Sequence, residues 1–295
     1  MSVTQTGYIP VTGGRVWYRI SGRGRDAVPL LALHGGPGST HDYLLPLEEL
    51  ADERPVVFYD QLGSGKSDRP GCTSLWTLER FVEELGQVRE ALDLDEVHIL
   101  GSSWGSMLAT EYMLTEKPGG VQSLIFAGPA LSAIRWGQDV RRLLKGISQR
   151  SQDVIREAEE AGDYESEDYQ KAMDEFYKKH MCRLDPWPKY VTDSFDNMGA
   201  DVYEYMWGPS EFTITGTLGD FDRVHRLEEL SVPVLYVCGQ YDEATPESTR
   251  HYHEHTPDSE LVVIEDASHL QHAEQPEEFM PLVRQFLAKA EGRRD

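Results

Sequence analysis

The stretch Glu96-Val-His-Ile-Leu-Gly-Ser-Ser-Trp-Gly-Ser-Met107 decides the fold, because an apolar strand pattern runs into Gly101-Ser-Ser-Trp-Gly105 and a helical pattern follows. A serine at the centre of GxSxG, between a strand and a helix, is typical of a nucleophile held on a sharp turn. The two flanking glycines avoid the crowding that a β-carbon would cause there. The pattern predicts Ser103 as a catalytic nucleophile, whereas Ser102 is out of register.

A serine hydroxyl at neutral pH needs a histidine base and a carboxylate that orients the base. Val232-Pro-Val-Leu-Tyr-Val-Cys238 predicts a buried strand, and Asp242 follows its end. The next apolar run, Leu261-Val-Val-Ile264, leads to His269 at a strand-to-loop junction, while His272 lies deeper in the loop and is the weaker candidate. Serine, aspartate and histidine in this chain order are typical of α/β hydrolases.

Two backbone amides are expected to stabilise the oxyanion of the reaction, one after the nucleophile and one from a loop that follows an earlier strand. An apolar strand pattern ending in His34-Gly-Gly-Pro-Gly38 fits that loop. We therefore assign the N–H groups of Gly36 and Trp104. His34 and Asp60 also follow strands, and we interpret both as residues that brace neighbouring loops.

Composition limits the partners and the compartment. The chain has 51 acidic and 28 basic residues, a net charge of −23, which disfavours nucleic acid and anionic membranes. Three cysteines, Cys72, Cys182 and Cys238, lack metal-ligand spacing and indicate a reducing cytoplasm. Residues 1–8 lack the basic head and apolar stretch of a signal peptide, and no apolar run approaches the ~20 residues of a membrane span. We expect a cytoplasmic enzyme without a metal or organic cofactor; its oligomeric state stays open.

The order of strand and helix patterns predicts the domain organisation. Strands and helices alternate in the first part of the chain, which predicts a mostly parallel, doubly wound sheet with an antiparallel hairpin over residues 11–20. Residues 130–226 are charged and helical in pattern. We predict an α/β-hydrolase core formed by residues 1–129 and 227–295, with residues 130–226 inserted as a helical cap. The acidic stretch 163–168 is interpreted as a solvated link between cap helices.

Several motifs, occurring in order over nearly the whole chain, together resemble the proline iminopeptidase family of serine aminopeptidases. They are HGGPG at 34–38, Asp60-Gln-Leu-Gly-Ser-Gly-Lys-Ser67, Gly101-Ser-Ser-Trp-Gly-Ser106, and the segments around Asp242 and His269. Within that family, residues 206–216 and 241–246 look most like the tricorn-interacting aminopeptidases of archaea. The resemblance implies an α/β-hydrolase fold and the release of an N-terminal residue, often proline, from short peptides.

The resemblance also implies that Glu211 and Glu243 bind the free α-ammonium group of the substrate and that Tyr203 aligns it. Two carboxylates in a water-poor pocket would bind an ammonium group and reject an N-acylated peptide, which leaves them unpaired. The sequence spacing alone supports equally well an interpretation in which Glu211 caps a helix and Glu243 points to solvent. Tyr203 is then one aromatic residue among several in the cap.

The predicted reaction is acyl transfer through an acyl-enzyme. His269 accepts the proton of Ser103 during attack, Asp242 orients the imidazole, and water releases the amino acid. An alternative with the same triad is an amidase or esterase that acts on small amino-acid amides or esters. A non-catalytic binding protein is disfavoured because all three triad residues are present. Epoxide and haloalkane hydrolases are disfavoured because they need an aspartate where this chain has Ser103.

Overall fold

The computed structural model describes residues 4–292, so residues 1–3 and 293–295 of the predicted core lie outside the described residues, as does the start of the segment inspected for a signal peptide. Eight strands form one sheet. They are β1 (Gln5–Val11), β2 (Gly14–Ser21), β3 (Leu30–Leu33), β4 (Val56–Tyr59), β5 (Val97–Ser102), β6 (Val121–Ala127), β7 (Val234–Gly239) and β8 (Ser259–Ile264).

The strand order across the sheet is β1-β2-β4-β3-β5-β6-β7-β8. Strand β2 pairs antiparallel with β1 and with β4, whereas every pairing from β4 through β8 is parallel. The prediction of a mostly parallel sheet with an antiparallel hairpin at its edge is therefore confirmed. Because parallel strands end at the same edge, the loops that follow β3, β5, β7 and β8 converge there.

Ten α-helices occur in the described chain. They are α1 (Leu78–Ala91), α2 (Trp104–Thr115), α3 (Ala133–Leu144), α4 (Gln149–Ala161), α5 (Glu167–His180), α6 (Lys189–Asp196), α7 (Ala200–Met206), α8 (Pro246–Glu254), α9 (Gln271–Glu274) and α10 (Pro276–Gly292). Short 3-10 helices occupy Asp42–Asp52, Thr73–Leu75 and Val224–Glu229. Helices α3 to α7 all fall between β6 and β7, within the predicted insertion; the division into core and cap stays a prediction.

The central strands are buried on both faces. In β3, Leu31 and Leu33 belong to one apolar cluster, while Leu30 and Ala32 belong to a second. Successive residues of a strand point to opposite faces, so a sheet covered on both sides needs continuous apolar runs. In the described part of the chain, no helix combines the length and apolar character needed to cross a bilayer.

The turn between β5 and α2 depends on two close backbone approaches. Ser103 has φ +53° and ψ −121°, a region that side chains with a β-carbon rarely occupy. A β-carbon on Gly101 would lie 2.4 Å from the carbonyl oxygen of Gly105, and one on Gly105 would lie 2.3 Å from that of Leu33. The N–H of Ser103 donates to Ala127 at 3.0 Å, which fixes the turn against β6.

Helix α3 is fastened to the loop after β7 through Asp139. Its Oδ2 atom accepts hydrogen bonds from the hydroxyls of Ser248 and of Thr245, the latter at 2.8 Å, and its Oδ1 accepts from Arg142 at 2.8 Å. Thr245 also caps the start of α8. Asp139 is 8% exposed, so its bonds to Thr245 and Ser248 join two segments in a nearly dry environment.

The end of helix α5 is fastened to the two loops that follow β7 and β8. The carbonyls of His180 and Met181 accept hydrogen bonds from the N–H groups of His269 and Leu270, at 3.1 and 3.0 Å. The His180 ring also lies 2.7 Å through Nδ1 from the carbonyl oxygen of Tyr241. The helices between β6 and β7 are thus attached to the edge of the sheet where the predicted catalytic loops converge.

Gly105→Ala should lower the free energy of unfolding by about 1–3 kcal/mol, because the added methyl group forces the turn away from β3. Urea unfolding measures this. Gly86→Ala in α1 is the control: its methyl group meets nothing closer than a Tyr112 ring carbon at 3.8 Å, and we expect it to raise stability by about 0.5–1 kcal/mol. Equal midpoints for the two variants would contradict this account of the turn.

Asp139→Ala should lower the free energy of unfolding by about 1.5–3 kcal/mol, because it removes charge-assisted hydrogen bonds and leaves two hydroxyls without their acceptor. Glu247→Gln is a matched control. It alters the other carboxylate that contacts Arg142, at 3.0 Å, but its side chain is 69% exposed, and such pairs contribute about 0–1 kcal/mol. The two variants are compared by urea unfolding, and equal losses would argue against the tether.

Candidate active site

The structure brings two of the three predicted triad residues into direct contact and places the third on the same cavity. His269 Nδ1 lies 2.7 Å from Asp242 Oδ1. The Asp242 carboxylate also accepts the N–H groups of Ala244, at 2.7 Å, and Gly239, at 3.2 Å. Ser103 and His269 both line the cavity in front of the turn. With Nδ1–H directed at Asp242, the other ring nitrogen, Nε2, is the one that can accept a proton.

Opposing influences act on the pKa of His269. Burial lowers it, but the charge and hydrogen bond of Asp242, helped by Glu211, more than offset burial, so the pKa is raised above 6.5. The ring of Trp136 packs edge-on against the imidazole, with centroids 5.8 Å apart. Gly128 has φ +60°, and a β-carbon there would lie 2.6 Å from His269 Cε1. The absence of a β-carbon at Gly128 makes room for the imidazole ring of His269.

The two amides predicted for oxyanion binding are both available. Within residues 4–292, neither Gly36 nor Trp104 donates a backbone hydrogen bond. Trp104 begins α2, so its N–H lies at the positive end of the helix dipole beside Ser103. The glycine-rich loop also reaches the nucleophile, because a β-carbon on Gly35 would lie 3.0 Å from Ser103 Cβ. The Gly35 N–H donates instead to the Tyr43 hydroxyl at 2.8 Å.

Glu211 lies on the cavity wall, together with Tyr203. Its Oε1 accepts the Tyr203 hydroxyl at 2.6 Å. Burial raises the pKa of Glu211, while Tyr203, His269 and Trp136 partly oppose that rise. The interpretation that Glu211 caps a helix is wrong, since α7 ends at Met206 and Glu211 lies in the irregular segment beyond.

Glu243 is 1% exposed, so the interpretation that it points to solvent is wrong. Neither of its carboxylate oxygens has a hydrogen-bond partner among residues 4–292. Burial, together with the charges of Glu211 and Asp242, raises its pKa well above the usual value. Burial, and then the charges of Glu211 and Glu243, raise the pKa of the Tyr177 hydroxyl well above its usual value. A buried carboxylate in this state is costly until a proton or a cation neutralises it.

These residues surround a cavity of about 650 Å³ that opens in front of the nucleophile. The predicted site residues on its wall are Gly36, Ser103, Tyr203, Glu211 and His269. The remaining ones, Trp104, Asp242 and Glu243, lie outside the lining and are nearly fully buried. Glu243 therefore lies behind the cavity wall, and a charge on its carboxylate would act on the cavity through that wall.

Sequence reasoning missed three aromatic residues around this cavity. Trp136 packs against His269 and, at 5.9 Å and nearly perpendicular, against Trp207. Tyr169 and Tyr177, from α5, line the cavity itself. Their positions depend on how the helices after β6 fold back over the sheet, which no local pattern reports. The only sequence signal was the proximity of Trp136 to the end of β6.

His34 and Asp60 hold loops in place. His34 is fully buried, and its Nε2 accepts the N–H of Gln61 at 2.9 Å. Burial lowers the pKa of His34 to about 4, so its ring stays neutral. Asp60 accepts hydrogen bonds from His41 Nδ1, at 2.7 Å, and from the N–H of Lys66, at 2.9 Å. Both arrangements agree with the interpretation of these residues as braces.

His272 is also occupied elsewhere. Its Nε2 lies 2.9 Å from the carbonyl oxygen of Tyr43, and burial lowers its pKa to about 4. Across residues 4–292, no group of three or more His, Cys, Asp or Glu side chains is arranged to hold a metal ion. What the site offers chemically is a serine, a histidine–aspartate pair, the amides of Gly36 and Trp104, and two glutamates, of which Glu211 is half-buried on the cavity wall and Glu243 is fully buried.

Comparison with known proteins places this arrangement in a family. Residues 28–276 match the family model for the alpha/beta hydrolase fold. The proline iminopeptidase of Heyndrickxia coagulans is 49% identical over 282 residues, which cover 95% of this chain and 98% of the relative.

Solved structures agree. The crystal structure of proline iminopeptidase from Mycobacterium smegmatis superposes with a TM-score of 0.90 at 35% identity, covering 99% of this chain and 100% of that one. The crystal structure of VinJ superposes with a TM-score of 0.93, also at 35% identity, covering 97% and 99%. The chain belongs to the proline iminopeptidase family of α/β hydrolases.

Proposed function

We propose that the protein is a serine aminopeptidase that releases the N-terminal residue, preferably proline, from short peptides with a free N-terminus. One observation carries the proposal: the serine and histidine needed for acyl transfer share a cavity with Glu211, and a second glutamate, Glu243, lies buried beside it. The similarity to enzymes named proline iminopeptidases supports the preference for proline.

In this mechanism His269 accepts the proton of the Ser103 hydroxyl as the oxygen attacks the first carbonyl of the peptide. Asp242 holds the imidazole in the required tautomer and stabilises the imidazolium. The amides of Gly36 and Trp104 would each stabilise the oxyanion by about 3 kcal/mol. The imidazolium then protonates the leaving amine, and a water molecule, activated by the same base, releases the amino acid.

Selectivity for a free N-terminus follows from the two glutamates. An α-ammonium group beside Glu211 would compensate the negative charge of that carboxylate, which burial makes unfavourable. The positive charge of the ammonium group would also act on Glu243 behind the cavity wall. An N-acylated substrate brings no such charge. Leaving the carboxylates uncompensated costs about 3–5 kcal/mol, which corresponds to a discrimination of 10²-fold or more.

The second candidate is an amidase or esterase that acts on small amino-acid amides or esters. The same triad and the same glutamates would serve it, so the two functions differ in the leaving group that the cavity accepts. A volume of about 650 Å³ leaves room beyond a single amino acid, which favours peptides.

We also propose that the enzyme acts in the cytoplasm, without nucleic-acid or membrane partners. The net charge of −23 supports the absence of anionic partners. None of the three cysteines forms a disulfide; Cys182 and Cys238 are buried as free thiols, as expected in a reducing compartment.

The function is tested with prolyl coumarin amide, its N-acetylated form and a simple coumarin ester, measured by fluorescence release. The free prolyl amide should be cleaved at least 10²-fold more efficiently than the acetylated one. Ser103→Ala should reduce kcat by about 10⁴-fold or more. If the acetylated amide were cleaved as well as the free one, the general amidase or esterase would replace the aminopeptidase.

Glu211→Gln isolates the recognition of the amine in the same assay. We expect kcat/KM for the free prolyl amide to fall by about 10- to 100-fold, because a charged hydrogen bond is lost, and hydrolysis of the ester to stay within about twofold. Glu265→Gln, an exposed position after β8, is the control for the loss of one charge. Equal losses on amide and ester would show that Glu211 acts on the triad and not on the amine.

The pH dependence reports His269. Because the free enzyme needs a neutral base, kcat/KM should fall as the pH drops through the raised pKa, so the midpoint of the acid limb should lie above 6.5. The coumarin ester, which carries no amine, separates this titration from that of the glutamates. Asp242→Asn should reduce kcat by about 10⁴-fold. A midpoint at or below 6.5 for the wild type would contradict the pairing of His269 with a charged Asp242.

A further inference from the structure

The cavity continues past the residues that hold the scissile bond. Glu211 and Ser103 would anchor the amine and the first carbonyl, so the rest of the peptide has to occupy the space that remains. Most of the solvent-exposed residues of the cavity lining lie in the segment between α4 and α5 and on α7, and we call this part of the cavity the mouth. The leaving part of a peptide would therefore lie between the nucleophile and this mouth.

The mouth carries charge of one sign. Asp163 and Glu165, in the segment before α5, and Glu204, on α7, line the cavity and are exposed to solvent. None of the three forms an ion pair with a basic residue in the described chain. The lining includes no lysine or arginine from residues 4–292. The stretch interpreted from sequence as a solvated link thus contributes two carboxylates to the route into the active site.

A second, independent feature points to a ligand in the same space. Tyr169 lines the cavity but is 1% exposed. Its hydroxyl makes no close hydrogen bond among residues 4–292, and the side chain of Ser210 is the polar group beside it. Its ring is held edge-on by Tyr164, at 5.5 Å. A buried hydroxyl without a close hydrogen bond is uncommon in folded proteins, and a bound peptide could supply one here.

We infer that the space between Ser103 and the mouth is a leaving-group subsite that favours a basic residue, and disfavours an acidic one, directly after the scissile bond. Tyr169 would bind a polar group of the leaving peptide, and Asp163, Glu165 and Glu204 would act on its charge. The inference rests on the proposed aminopeptidase function and extends it to the second residue of the substrate. A free α-carboxylate on that residue would be disfavoured for the same reason.

Coulomb's law sets the scale of the effect. Exposed charges interact weakly in water, but three carboxylates act together on one substrate charge. Replacing an acidic substrate residue by a basic one changes the interaction energy twice as much as replacing a neutral residue by a basic one. We therefore expect roughly tenfold or greater preference for lysine over glutamate at low ionic strength, decreasing strongly at 0.5 M salt.

The test uses three dipeptide amides, Pro-Lys-NH₂, Pro-Gln-NH₂ and Pro-Glu-NH₂, and measures the proline released at 20 mM and 0.5 M NaCl. The neutral amide ends remove the α-carboxylate, so the side-chain charge is the main variable. We expect kcat/KM to decrease in the order Lys, Gln, Glu at low salt, and to converge at high salt. Dipeptides with free carboxylates should be cleaved more slowly than their amides.

Two variants assign the effect to the mouth. Glu204→Gln combined with Glu165→Gln should reduce the Lys/Glu ratio at least threefold. A control with the same change in net charge, Glu116→Gln with Glu265→Gln, removes two exposed carboxylates outside the cavity lining and should leave the ratio unchanged. Tyr169→Phe should raise KM about three- to tenfold for all three amides without changing the ratio.

Each outcome bears on a different claim. If Pro-Gln-NH₂ releases no proline, the aminopeptidase function itself is wrong. If all three amides are cleaved equally well at low salt, the function stands and the charged subsite is wrong. An equal loss of preference in the control double variant would assign the effect to the net charge of the protein and overturn the role of the mouth. An unchanged KM in Tyr169→Phe would remove Tyr169 from the subsite.

Discussion

Most of the site depends on one backbone conformation, the positive φ of Ser103 between β5 and α2. That conformation projects the side chain away from the sheet and leaves the first amides of α2 directed towards it. It persists because neighbouring segments are packed too closely to allow another turn: the carbonyl of Leu33 lies where a side chain at position 105 would be. The loop after β3, which carries Gly36, approaches the nucleophile through the same close packing.

Acidic charge is the second organising feature. Asp242 and Glu211 both act on a single histidine and on the buried Glu243, and burial reduces the screening of these charges by water. The two buried carboxylates Asp242 and Glu243 are in different hydrogen-bonding states. Asp242 accepts hydrogen bonds from His269, Ala244 and Gly239 and stabilises an imidazolium, whereas Glu243 has no hydrogen-bond partner in the described chain. The positive charge of a cationic substrate would compensate the carboxylate of Glu243 without changing the hydrogen bonds of Asp242.

The fold and the reactive groups could be predicted from sequence because their signals are local. The strand, the glycine spacing and the helix around Ser103 occur within twelve residues, and Asp242 and His269 each follow a recognisable strand. The remaining residues of the cavity wall could not be predicted. Tyr169 reaches the cavity, and Trp136 reaches His269, only after the helices between β6 and β7 have folded back over the sheet. The burial of Glu243 depends on the same long-range packing.

The two backbone hydrogen bonds between the end of α5 and the His269 loop have a consequence for how the protein can change shape. Both bonds join backbone groups. A single substitution can therefore delete one of them only by placing proline at His269 or Leu270, whose N–H groups are the donors. A rigid-body opening of the α5 end by more than about 1 Å would either break both bonds or carry the base away from Asp242. Entry and release of substrate therefore have to use the mouth, while the helix end stays in register with the catalytic histidine. If the helices between β6 and β7 were exchanged between related enzymes, the hydrogen bonds between the end of α5 and the His269 loop would have to be kept for the enzyme to stay active.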